Sequence, residues 1–526
     1  MHFEKGQTVG VDLGTTYSTL AQLDDEGNPV ALPNEDGDLE TASLIVLGAD
    51  GSVIVGPSRM RAAMEAPENV VERIKRHMGE HEFKRTYEGR AITPEFLSAL
   101  ILMKLRQDAE KRIGAIGNAV ITVPYYFNDS RRKATQDAGR IAGLNVIDII
   151  NEPTAATLTY AWLRKELGTS DGAPGKPRRT LVFDLGGGTF DVTVVEYTPA
   201  HFRVLATGGD FKLGGVDWSD RLMDYVADRF RDRHGEDPRD SLAARQVLFN
   251  DCDTAKHELS EQQDTVINFR HEGKAITVRI TRPEFQKMTA DLLQRTADTT
   301  ELVLQEAKCR PEELDAVVLV GGSTLMPQVR SMVEDVTDTK PFDEISPFTA
   351  VAQGAAIHAA ILEAKHRGED SELAEKVRKM LGAVKQENVN SHALGVVVTI
   401  DAEKGKGRNR VMIPKNTRLP FHKEQVFKTI RDNQERITIQ VLEGDAPDPF
   451  ACSLLGKCRV RGLPEGLPKG SLVEVSYAFD TAGRITVTAR EKSSGKEATI
   501  EIERRGGLDD EQIDAYAKLA ADYRIE

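Results

Sequence analysis

Two stretches of this chain combine aspartate, glycine and threonine at a spacing that can hold a polyphosphate. They are VGVDLGTTYSTL, from Val9 to Leu20, and LVFDLGGGTFDVTVVE, from Leu181 to Glu196. In the second, β-branched apolar runs flank an Asp, successive glycines and a Thr, which predicts a hairpin rather than a helix start. Glycines there allow positive φ and present consecutive amide N–H groups, so the turn can hold phosphate oxygens. Asp184 and Asp191 would then face a bound magnesium ion. The first stretch repeats the grammar with Asp12, Gly14, Thr15 and Thr16. Two phosphate hairpins in separate halves of one chain predict two lobes closing on a single polyphosphate.

The elements that position those hairpins have to be found in 526 residues, more than one core usually supports, so two or three domains are expected. A formal charge of −14 argues against a nucleic-acid binder, which would carry a basic face or stripe. No apolar run is long enough to span a bilayer, and MHFEKGQ lacks the apolar core of a signal peptide, so the expected compartment is the cytoplasm. Cys252, Cys309, Cys452 and Cys458 are too scattered for a disulfide framework or a zinc site, which predicts reduced thiols.

Residues 9–56 alternate as strands with turns at Asp24 to Pro29 and Asn34 to Gly37. The segment Glu68 to Glu80 is helix-compatible and carries Lys75, on its own most simply a solvated helix lysine. A helix from Pro94 to about Ile113 precedes the apolar strand AVITVPYYF, and Ser130 or Asp129 can cap the helix that follows. Glu152 stands at a strand-to-helix junction, where it can serve a cleft or simply face the helix dipole. Residues 168–179 are Gly-, Pro- and charge-rich, a candidate hinge between lobes. Lys256 and Ser260 lie four apart on one helical face. Asp315 to Val336 is a buried strand, a Gly-Gly turn and a helix whose first amides can meet a ligand.

The ordered motifs VDLGTTYS, IKR, ITVPYYFNDSRRKATQDAGRIAGL, INEPTAA, FDLGGGTFDV, LGGVD and LVGGSTLMP resemble the nucleotide-binding domain of the DnaK-type heat-shock chaperones (the heat shock protein 70 family) across residues 9–361. The resemblance implies a multidomain α/β plus β protein: an actin-like, ribonuclease H-like duplicated, two-lobed ATPase followed by a β-sandwich. ATP or ADP would lie between the lobes with Mg2+. Gly14, Thr15 and Thr16 of one hairpin and Gly186, Gly187, Gly188 and Thr189 of the other would hold the phosphates. Asp12, Asp184 and Asp191 would position the metal, mostly through its waters, and Tyr17 sits where the family binds a monovalent cation, K+. Lys75 and Glu152 match residues that orient the attacking water. Gly321, Gly322 and Ser323, with Lys256 and Ser260 opposite, match the adenosine pocket. Phosphoryl transfer to water gains most from positioning and from countering charge, so a lysine, a metal and amide dipoles suffice without a strong base. Lys75, Glu152, Asp184 and Thr189 are therefore the catalytic candidates, Thr189 as a water-orienting or transiently phosphorylated hydroxyl.

After about residue 362 the chain turns charged, and Leu373, Val377, Met380, Leu381 and Val384 mark a short amphipathic helix within a linker at 363–390. The family's leucine-rich linker run is absent here. Residues 391–505 are strand-rich and predict a β-sandwich, with a hairpin turn at Asp480 to Gly483. This stretch resembles the chaperones' peptide-binding domain, with Val396, Phe427, Ile437 and Ile439 at groove positions; each could equally be plain sandwich core. Residues 506–526 read as one capped helix, a truncated lid, so a groove without a lid should exchange peptide quickly.

Leu325 and Phe348 replace residues the family usually has as Arg and Asp near the nucleotide, which predicts weaker nucleotide binding. Gln136 and Asp148 stand where bacterial members carry Lys and Arg at the J-domain surface, which puts that contact in doubt. The implied partners are unfolded polypeptides, with a J-domain cochaperone and a nucleotide-exchange factor as further candidates, and neither nucleic acid nor membrane. The function expected is an ATP-dependent chaperone. Two other readings remain: a peptide scaffold that binds ATP with a decayed or uncoupled ATPase, and a small-molecule kinase of the same superfamily.

Overall fold

The computed structural model describes residues 2–48, 51–56, 67–80, 82–83, 85–168, 176–368, 371, 373–387, 389–390, 392–401, 406–479, 485–502 and 507–525. Two sheets of like design carry the hairpins. In the first lobe, Gln7–Asp12 runs antiparallel to Tyr17–Leu23 and parallel to Ile116–Val123, which in turn pairs with Asn145–Asn151. The second lobe repeats this with Arg178–Leu185, antiparallel to Phe190–Thr198 and parallel to Ala316–Val320. The duplicated sequence grammar is therefore a duplicated topology. Every residue of Ile116–Val123 is buried, as expected of a strand covered on both faces.

Helices cover those faces. Pro94–Ile113 is capped by Thr93, whose side chain accepts the Phe96 N–H. The helix Asp129–Ile141 is capped by Asn128, ahead of Asp129 and Ser130, because the Asn128 side-chain Oδ1 accepts the Arg131 N–H. Between the lobes lies Ala350–His366, where a Cβ on Gly354 would come within 1.8 Å of the Ala155 carbonyl oxygen. Only glycine permits that approach. The turns at Asp24 and Asn34 close as expected, through Gly27 N–H to Asp24 O and Gly37 N–H to Asn34 O.

Two four-stranded sheets form the β-sandwich. One is ordered Lys406–Ile413, Leu394–Asp401, Arg436–Glu443, Ser453–Arg461; the other is Phe421–Lys428, Leu472–Phe479, Ile485–Glu491, Glu497–Ile502. Phe479 and Ile485 pair across the expected Asp480 to Gly483 turn, which itself lies outside the described residues, as do residues 169–175 of the expected hinge.

Three expectations are corrected. Glu68 to Glu80 is not a helix: Pro67–Asn69 and Ile74–His77 are single 3-10 turns around a short strand, and Arg73 between them is left-handed, with φ 58°. The amphipathic helix after residue 362 does form, as Glu375–Gly382, but it is no free linker. Val377, Leu381 and Val384 join the core built on Ala350–His366, and Lys385–Glu387 then adds a fifth strand to the second lobe's sheet beside His201–Asp210. The last helix, Asp510–Asp522, does not lie over the sandwich. Ile513 and Ala520 are buried in the first lobe's core, and Arg524–Ile525 pairs in parallel with Ser52–Val53. Amphipathic spacing announced a buried face without saying what would cover it.

Candidate functional site

The two hairpins meet at a cavity of about 370 Å³ between the lobes. Asp184 and Asp191 are directly opposed in the second hairpin, whose turn closes through Gly186 N–H to Thr189 O at 3.1 Å. The helix Gly215–His234 is stitched to that turn by Gly215 N–H to Gly186 O and Val216 N–H to Gly187 O, and Ser323 Oγ donates to Gly186 O at 2.9 Å. In the first hairpin the Gly14 N–H is taken by Ser18 Oγ at 3.0 Å, and Thr122 Oγ1 donates to Asp12 Oδ1 at 2.9 Å. Positive φ is not why glycine is needed here, contrary to the expectation. Gly14, Gly186, Gly187 and Gly188 all have ordinary φ. A Cβ on Gly187 would lie 1.8 Å from Thr16 Oγ1, and one on Gly188 2.2 Å from Thr15 Cγ2. The bare backbone lets the lobes touch.

Lys75 is not a solvated lysine. Its ammonium sits 2.6 Å from Glu152 Oε1, with the two side chains 5% and 6% exposed. Burial opposes its charge, yet Glu152, Asp12 and Asp184 outweigh burial and hold the ammonium above its usual range. Burial pushes the Glu152 carboxyl up to about 7 even against the pull of Lys75. Asp184 and Asp191 are raised well above the carboxylate range, first by burial and then by Glu152 and their neighbouring aspartate. Several carboxylates thus crowd one ammonium, an arrangement that a divalent cation would relieve. Arg76, next in the chain, crosses to the second lobe and donates to Gly188 O at 2.8 Å and Asp217 Oδ2 at 2.7 Å. The left-handed kink at Arg73 aims adjacent side chains inward and across.

Of the catalytic, metal and ATP residues expected from the sequence, all line the cavity except Gly188 and Asp191, which lie just behind it. Hard oxygen donors suit magnesium. Among the described residues no group of three carboxylate, His or Cys side chains is close enough to hold an ion directly. Asp12, Asp184 and Asp191 therefore fit a metal that keeps its waters. Buried Thr16 Oγ1 and Asp191 Oδ1 have no hydrogen-bond partner among the described residues, so the fit leaves them acceptor sites for such waters. Tyr17 is 44% exposed at the mouth.

At the far end, Lys256 Nζ donates to Asp253 Oδ1 at 2.7 Å and Ser219 Oγ at 2.9 Å, and the Gly321, Gly322 and Ser323 turn faces it across the cavity. Leu325 and Phe348 line this end and are both partly exposed. Sequence reasoning missed Glu40, which lines the cavity near Asp12; burial, then Asp12 and Asp38, push its carboxyl up to about 7. No motif contains it. In the sandwich, Val396, Ile437 and Ile439 are buried in one cluster, with Phe427 half-buried against it. Asp148 pairs with the buried His358 at 2.8 Å.

The Hsp70 protein family model matches residues 8–526. The chain belongs to the Hsp70 family. Among its Hsp70 relatives is the chaperone protein DnaK of Thermosipho melanesiensis, 36% identical over 535 residues that span 99% of this chain and 84% of that protein. Membership accounts for the two-lobed, actin-like ATPase fold with its β-sandwich, and it supports a chaperone function in protein folding. Hsp70 proteins are ATPases that bind ATP or ADP with Mg2+ and act on unfolded polypeptides, typically with J-domain cochaperones and exchange factors. Among the described residues no helix is long and apolar enough to cross a membrane.

Proposed function

We propose that this chain hydrolyses ATP in the cleft and uses the cycle to control how its β-sandwich holds extended apolar peptide segments. The buried Lys75–Glu152 pair, poised between both phosphate hairpins, carries this reading. The amides of the two turns bind the phosphate oxygens, and Lys75 counters the charge that grows on the γ-phosphoryl group as its bond to ADP breaks. Glu152 and Thr189 orient the water whose oxygen attacks phosphorus, its proton leaving with inorganic phosphate. Asp12, Asp184 and Asp191 would hold Mg2+ through water, and the ion would supply further charge neutralisation there. Tyr17 would sit beside a K+ ion at the mouth. Lys256, Ser260, Gly321, Gly322 and Ser323 would seat the adenosine, with Leu325 and Phe348 giving that end an apolar rim.

In the sandwich, a peptide would satisfy its backbone as an added strand beside half-buried Phe427, while Val396, Ile437 and Ile439, buried in the core, would support that face from within. Cytoplasmic work on unfolded chains fits this chemistry. Asp148 is held by His358, so a J-domain that reads a cation there would meet a carboxylate instead. The complete set of charge-stabilising groups weighs against a decayed ATPase. A kinase reading leaves the sandwich without a use.

Single-turnover hydrolysis by the purified chain, with and without a saturating short apolar peptide, tests the proposal. Acceleration by peptide supports a coupled chaperone. Hydrolysis that ignores peptide overturns the coupling, and absence of hydrolysis overturns the catalytic reading.

A further inference from the structure

Tyr125 belongs to no phosphate motif, yet it touches Asp191, behind the cleft lining, and the linker at once. It follows the buried strand Ile116–Val123 in the first lobe and is itself 2% exposed. Its backbone N–H donates to Asp191 Oδ2 at 3.3 Å, and its phenol O–H donates to the Val389 carbonyl at 2.7 Å. Between these ends the ring packs on Val195 and Val204 of the second lobe and on Val389. Val389 is also the junction with the sandwich, because it forms an antiparallel bridge with Arg418. Arg418 pairs in turn with Glu387, the last residue of the linker strand. That strand is anchored by Lys385 N–H to Ala200 O at 2.7 Å.

We infer that Tyr125 is a positioning residue that couples the Asp191 carboxylate to the docked linker. The inference rests on the reading of the cleft as a nucleotide site. Asp191 has a second carboxylate oxygen, Oδ1, buried without a hydrogen-bond partner among the described residues. An ion or ordered water reaching that oxygen pulls on the carboxylate that the Tyr125 amide holds. Because the residue is rigidly packed, a shift of its backbone moves the phenol against Val389. The same path runs backwards: pulling the linker strand away removes the acceptor of the phenol and loosens the amide on Asp191. One residue of the first lobe thereby registers two surfaces of the second.

Tyr125→Phe in the full chain isolates the phenol, since it keeps the ring and the amide that holds Asp191. Hydrogen–deuterium exchange of the Lys385–Glu387 amides is the readout, with Mg2+ and ATP present or both absent, and the core strand Ala316–Val320 as internal control. The expected result is linker exchange about fivefold faster in the ATP state, as one net hydrogen bond implies, with the nucleotide-dependent difference shrunk by the same factor and the control unchanged. Unchanged linker exchange overturns the coupling role, and so does faster exchange spread equally to the control strand. By linkage, nucleotide affinity should weaken by no more than the same factor. If the wild-type chain hydrolyses no ATP, the catalytic reading fails by itself, and the exchange comparison still decides Tyr125.

Discussion

Replacing Lys75 by Met keeps the volume of the stem and removes the ammonium set against Glu152, Asp12 and Asp184. Loss of one preorganised charge that faces a developing oxyanion lowers turnover by about 10²–10³-fold. ATP affinity should hardly move, because the turn amides and the adenosine end remain. Stability reports the same charge differently. Breaking a buried pair costs about 3–5 kcal/mol when the remaining partner stays charged. Glu152 has an escape, since its carboxyl is already pushed up to about 7 and loses the opposing pull of Lys75 in the variant. It therefore takes up a proton in the folded state while the unfolded chain, with an ordinary carboxyl near 4.5, releases it. A raised carboxyl costs nothing below the unfolded value and destabilises progressively above it, at about 1.4 kcal/mol per pH unit until the folded group also ionises. In the wild type that slope ends near pH 7; in Lys75→Met it continues upward. Denaturant unfolding of the nucleotide-free, metal-free proteins should thus show a stability gap about 1 kcal/mol wider at pH 8 than at pH 7, because the wild-type group is still half protonated at pH 7. Stability curves that run parallel across that interval would refute the protonation argument, and unchanged single-turnover hydrolysis would refute the role of Lys75.

Two further perturbations probe the cleft. Gly187→Ala places a methyl group 1.8 Å from Thr16 Oγ1 across the lobe interface, so the lobes have to part; nucleotide titration should show at least about fivefold weaker binding, as for overpacking worth about 1–3 kcal/mol. Wild-type affinity would mean the lobes close elsewhere. Glu40→Gln removes a carboxyl raised to about 7 by burial and by Asp12 and Asp38, so the variant should melt higher than wild type at pH 8, with the gap closing as pH falls well below the unfolded value of 4.5, where the group is protonated in both states. Equal melting temperatures at pH 8 would remove Glu40 from the electrostatics of the cleft.

The phosphate hairpins were legible because their chemistry is local: an aspartate, small residues and a threonine between two β runs specify the turn and what it can hold. Their reason was misread, since the glycines serve contact between lobes that are distant in sequence. Lys75 shows the limit more sharply. Helical spacing around it suggested a wet face, and only the left-handed Arg73 with two 3-10 turns turns the side chain into the cleft. Glu40 carries no signature, and the motif that contains Tyr125 says nothing of its contacts, because what matters about each is a neighbour brought near by tertiary structure. The amphipathic segments after residue 362 and at the C-terminus were legible as helices, whereas their partners were not. A hydrophobic face states that something packs there and leaves the identity of that surface to the whole fold.

The docked C-terminal segment bears on how the chain acquires its shape. Ile513 and Ala520 share one core with Val9 and Val11, and Tyr516 donates to the carbonyl of Ala91 across 425 positions of sequence. Such contacts form late, since loop closure precedes any gain from them and synthesis proceeds from the first lobe outward. During translation the first lobe therefore emerges with a patch of its apolar surface uncovered, and it keeps that patch through the making of the second lobe and the sandwich. The helix Asp510–Asp522 covers that patch once it is made.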